Sequence, residues 1–71
     1  MPIETLIRMG QQIARNNCAL PPDRAADRIA GHLKAFWTRE MISELQAFAS
    51  TDSGRLDPSL AAALRQLAAG G

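Results

Sequence analysis

Residues 26–49, ADRIAGHLKAFWTREMISELQAFA, decide the fold. Ala26, Ile29, Ala30, Leu33, Phe36 and Trp37 recur at spacings of three and four, the period of one apolar face of an α-helix. The stripe stops at Thr38. A second stripe starts at Met41 and continues through Ile42, Leu45, Phe48 and Ala49. Thr38 explains the interruption, because an N-cap hydroxyl accepts a free backbone N–H of the next turn. Glu40, in that turn, suits the positive end of the helix dipole. The block therefore predicts two amphipathic helices meeting at one break. It also holds the only His (His32), the only Trp (Trp37) and, in Phe36 and Phe48, both Phe residues.

Working outward, the segment from Ile3 to Asn17 places Leu6, Ile7, Gly10, Ile13 and Ala14 with Ile3 on one face, and Arg8, Gln11, Gln12 and Arg15 on the other. Gly10 within that apolar face predicts a close helix crossing, despite a propensity cost of ~1 kcal/mol. Asn16-Asn17 ends this helix, and Pro21-Pro22 introduces the next, which spans Asp23 to Trp37. Asp23 and Asp27 near its start and Lys34 near its end suit its dipole. The run from Ser50 to Asp57 is predicted as a loop, with Gly54 as its reversal point. Asp57-Pro58 is an N-cap followed by Pro at the first helical position. The last helix carries Leu60, Leu64 and Leu67 on one side, and Gly70-Gly71 ends it. Period-2 alternation is absent. The expected fold is all-α, a single small domain over residues 1–71 built of about four short helices.

A core of 71 residues seldom supplies more than ~3–5 kcal/mol, so chains of this size usually add a disulfide, a metal or a partner. A disulfide within the chain is excluded, because Cys18 is alone. One Cys and one His cannot supply the usual four-ligand zinc set. A partner is the remaining option. The charge of +1, with eight Lys and Arg interspersed among seven Asp and Glu, gives no basic face for phosphates. The N-terminal MPIETLIRMG lacks the pattern of a signal peptide, and no window approaches 18 apolar residues. With one free Cys, these features predict a cytoplasmic protein that spans no membrane.

Catalytic chemistry has little to work with. A nucleophile needs a base and a group to orient it, and Cys18 and His32 are the only candidates. Cys18, following an apolar helix, is expected as a small half-buried hydrophobe. The five glycines are scattered and form no phosphate loop. Neither a catalytic, a cofactor nor a metal residue is assigned. His32, on the flank of its helix, reads as a boundary side chain. Trp37 is either core or an interface anchor, since Phe36 beside it lets one ring enter the core while the other lies near the rim. HLKAFWTREM is accordingly expected to form a docking surface, with Trp37 as its anchor, Phe36, Met41 and Ile42 as its apolar part, and His32 and Arg39 as its polar rim.

LIRMGQQIA (Leu6 to Ala14), IAGHLKAFW (Ile29 to Trp37) with Met41, and GRLDPSLAAAL (Gly54 to Leu64) resemble the delta subunit of soluble NAD-dependent formate dehydrogenases. That family's pattern has Leu-Ile-Arg-Met-Ala-Asn-Gln-Ile, then Ile-Ala-x-His-Leu-x-x-Phe-Trp-Asp-Pro-Arg-Met-Arg, then Gly-Leu-x-Pro-Leu-Val. The block with His32, Leu33, Phe36, Trp37 and Met41 is the most specific part; the one with Arg8 and Met9 comes second and adds Arg8 to the expected interface. The resemblance implies a non-catalytic subunit of a cytoplasmic molybdenum- or tungsten-dependent complex. Its pterin-bound metal, iron–sulfur clusters, flavin and NAD belong to partner subunits, and this chain binds none of them. The partner implied is the large catalytic subunit, and the roles implied are assembly, stabilisation or cofactor insertion. Thr38, Arg39 in place of the pattern's Pro, and Glu40 and Ile42 in place of its two Arg depart from the pattern, as does Gln11 where it has Asn, which marks a divergent member.

The competing reading is an independent helical interaction module, a homodimer among its forms, outside any formate dehydrogenase. An apolar docking patch would also drive self-association of the isolated chain. A helix-turn-helix DNA binder is disfavoured, because the candidate recognition helices carry too few basic and amide side chains.

Overall fold

In the computed structural model, which describes residues 2–70, the chain forms α1 (Ile3–Asn16), α2 (Pro22–Phe36), α3 (Arg39–Asp52), a 3₁₀ turn at Ser53–Arg55 and α4 (Pro58–Gly70). No strand occurs among the described residues. The all-α expectation holds. Gly71, expected to end the chain's last helix with Gly70, lies outside the described residues.

Each boundary has a local cause. Asn17 closes α1: its backbone N–H reaches the Ala14 carbonyl at 3.1 Å and its side-chain amide donates to the Ile13 carbonyl at 2.8 Å. Pro22 opens α2 at the first helical position, where its missing N–H has no intrahelical partner to lose. Thr38 caps α3, its Oγ1 accepting the Met41 N–H at 3.1 Å, as expected. Asp57 caps α4, its carboxylate accepting the Ser59 N–H and its carbonyl the Ala61 N–H, both at 2.9 Å.

The core is apolar throughout. Leu6, Ile29, Leu33, Leu45, Leu60 and Leu64 are sealed from solvent, and no polar or charged residue is buried among the described residues. The helix α4 is central, packing on α2 most extensively and also on α1 and α3. At Gly10 of α1 the crossing with α3 and α4 is close: an added Cβ would stand 2.9 Å from Leu60 Cδ2 and 3.3 Å from Leu45 Cδ2. Between helices, polar ties run at the edge of this core. Gln46 donates to the Leu64 carbonyl at 3.1 Å, and Gln66 donates to the Asp27 carboxylate at 2.7 Å.

Three expectations are corrected. The stretch after Ser50 is not a simple loop: α3 runs on to Asp52 and a 3₁₀ turn follows. The Ser50 and Thr51 hydroxyls donate to the carbonyls of Gln46 and Phe48, at 3.1 and 2.9 Å, so these polar residues are accommodated within the helix. Cys18 is exposed rather than half-buried, because α1 has already ended before it. Phe36, assigned to the buried stripe of α2, faces solvent instead.

Candidate docking surface

The corner between α2 and α3 is built by two backbone hydrogen bonds and one cap. The Trp37 N–H donates to the Leu33 carbonyl at 2.9 Å and closes α2, after which Trp37 turns extended (φ −95°, ψ 151°). The chain re-enters a helix at once, through the Ile42 N–H to Thr38 carbonyl bond at 3.1 Å and the Thr38 cap. That change of backbone direction separates the two neighbouring rings. Trp37 is 8% exposed and belongs to the core cluster, whereas Phe36 is 75% exposed.

The expected anchor is thereby corrected. Trp37 supports the corner from beneath, showing only an edge, and Phe36 is the large hydrophobic side chain that stands in water. Its ring is not alone. The His32 ring lies against it with centroids 4.8 Å apart and planes tilted by 43°, an i,i+4 pair on α2. Together they border a shallow depression reached by Asn17, Asp27 and Arg28, over Gly31, where a Cβ would meet nothing within 4 Å.

The other expected residues divide between two sides. Arg39 and Ile42 line a separate groove with the Trp37 edge. Met41 is half-buried and packs on the core. Arg8 is exposed on α1 and lines neither the depression nor this groove. The structure thus joins His32 with Phe36 at one depression, and Arg39 with Ile42 and the Trp37 edge at another.

A polar clamp escaped the sequence reading. Gln11, assigned simply to the solvent face of α1, donates through its Nε2 to the Arg55 carbonyl at 3.0 Å and accepts the Asp57 N–H on its Oε1 at 2.9 Å. It fixes the segment that leads into α4 from both sides. Arg55 in turn lies 5.4 Å over the Phe48 ring and 3.4 Å from the Glu4 carboxylate. Both groups of the pair are well exposed, so that ion pair adds little. Only the position of Gln11, next to the expected crossing at Gly10, hinted at such a contact.

Among the described residues, no group of three or more His, Cys, Asp or Glu side chains stands where it could hold a metal ion. No helix among them is long and apolar enough to cross a membrane.

The chain belongs to the NADH-dependent formate dehydrogenase delta subunit family, FdsD, whose family model matches residues 5–64. The match takes in the α2–α3 corner whole and extends from α1 to Leu64 of α4. Membership makes the chain an accessory subunit associated with a formate dehydrogenase complex. No curated protein and no solved structure matches it.

Proposed function

We propose that the chain is a non-catalytic subunit that docks on the large catalytic subunit of formate dehydrogenase through the α2–α3 corner, acting in assembly, stabilisation or cofactor insertion. It binds no pterin-held molybdenum or tungsten, iron–sulfur cluster, flavin or NAD of its own. One observation carries the docking surface: the exposed Phe36 ring, held against His32 beside the capped break between α2 and α3. Covering a phenyl ring is worth roughly 1.5–3 kcal/mol, a gain this fold leaves unrealised at Phe36. Phe is among the aromatic residues enriched at protein–protein interfaces.

The reading of the chain as cofactor-free rests on its donor set. One Cys and one His cannot replace the four thiolates of an iron–sulfur cluster. Co-expression of the tagged chain with the formate dehydrogenase subunits of its host tests both parts. The large subunit should copurify with the chain in fixed ratio, and the chain purified alone should carry no stoichiometric molybdenum, tungsten, iron or flavin. Failure to copurify, or a stoichiometric cofactor on the isolated chain, contradicts the proposal.

A further inference from the structure

A groove runs between α3 and α4; Trp37 lines one end of it, and Phe36, which borders a different depression, does not. Two open depressions share Gln46 and Ala68 and so form one surface. Ile42 and Leu67 line one end, Ala49 and Ala61 the other, and the Gln46 to Leu64 hydrogen bond ties the walls midway. The two helices are therefore antiparallel along it, and small side chains at Ala49, Ala61 and Ala68 keep it open.

Its charge is one-sided. Lys34, Arg39 and Arg65 all border the groove, and none of the seven Asp and Glu residues does. In a chain whose net charge is only +1, this gathering is uneven. All three cations are exposed, and none of them forms an ion pair among the described residues.

The geometry points to this groove as the seat of an acidic amphipathic helix supplied by the formate dehydrogenase complex, an assignment that rests on the function proposed above. Helical walls carrying Ile42, Leu67 and the three alanines on either side of Gln46 suit a helix laid in the groove, with apolar side chains at spacings of three and four facing down at its two ends. The wall from Arg39 to Ser50 is about 17 Å long at 1.5 Å per residue, enough for roughly three turns of occupant. Carboxylates flanking that helix would meet Lys34, Arg39 and Arg65. A second copy of this chain, meeting it groove to groove, would oppose like charges instead.

The test measures binding of the purified chain to the host's formate dehydrogenase complex prepared without it, at low and at high salt. Reversal of the three cations (Lys34→Glu, Arg39→Glu, Arg65→Glu) should weaken binding roughly tenfold or more at low salt, with a smaller difference at high salt. A photo-crosslinking residue at Ser43, an exposed lining position, should then join the chain to an acidic helical segment. Unchanged affinity of a folded triple variant overturns the inference, as does a crosslink to a basic or neutral segment or to a second copy. In those cases wild-type binding still upholds the accessory-subunit reading; absence of wild-type binding removes both.

Discussion

Substitution of Gly10 separates packing from helix propensity, because the two effects have opposite signs there. In Gly10→Ala the new methyl would sit 2.9 Å from Leu60 Cδ2, closer than real Cβ contacts allow. The obstructing atom is the end of a flexible side chain, but Leu60 is sealed in the core and must shift within it. Forcing that side chain off its rotamer costs roughly 0.5–1.5 kcal/mol, and exchanging Gly for Ala in a helix returns about 1 kcal/mol. The alanine variant should therefore be nearly neutral. Gly10→Leu must place three further carbons in the same closed space. Overpacking at the upper end of its usual range, ~3 kcal/mol, less just under ~1 kcal/mol of propensity, leaves a loss of about 2 kcal/mol. In a domain of this size that lowers Tm by roughly 8 °C or more. Thermal melts followed by far-ultraviolet circular dichroism provide the assay. If both variants are more stable than the wild type, Gly10 faces open space and the crossing with Leu45 and Leu60 is misplaced.

Three further substitutions test the corner and the clamp. Trp37→Ala empties a core position and should cost about 3–5 kcal/mol, comparable to the whole stability of so small a domain, so loss of the cooperative melt is expected; a melt within a few degrees of wild type would show that Trp37 is not core. Thr38→Ala removes the acceptor for the Met41 N–H and should cost about 1 kcal/mol, while Thr38→Ser retains most of it; equal melts for all three proteins would contradict the cap. Gln11→Met keeps volume and helix propensity but leaves the Asp57 N–H without its partner, so stability should fall by about 1 kcal/mol and that amide should exchange faster with solvent; unchanged exchange would show that the clamp is absent in solution.

What the sequence made legible, and what it did not, follows from the range of the interactions. Periodicity places Leu6, Ile7, Gly10 and Ala14 inward correctly, because the middle of a helix repeats faithfully. Thr38 and Asp57 are also readable, since a cap acts on its own next turn. Phe36 and Trp37 were not separable this way. Both continue the α2 stripe at the right spacing, and their fates are decided by the extended backbone of Trp37, which begins where periodicity ceases to apply. The groove between α3 and α4 was equally hidden. Lys34 and Arg39 flank the α2–α3 break, but Arg65 lies 26 residues beyond Arg39 and reaches the same groove only through the packing of α4 on α3. Gln11 looked like a solvent-facing residue because its two partners lie 44 and 46 residues away.

Docking through the exposed face of the corner is tested most directly by Phe36→Ser, with affinity for the formate dehydrogenase large subunit measured alongside the melting curve. At 75% exposure the ring contributes little to the fold, so the change in stability should stay within about 0.5 kcal/mol beyond the small helix-propensity difference. The affinity should fall by roughly 30-fold, the equivalent of about 2 kcal/mol for loss of an aromatic anchor. A variant that melts like the wild type and still binds within about twofold of it would place the contact elsewhere and contradict the docking role of this corner.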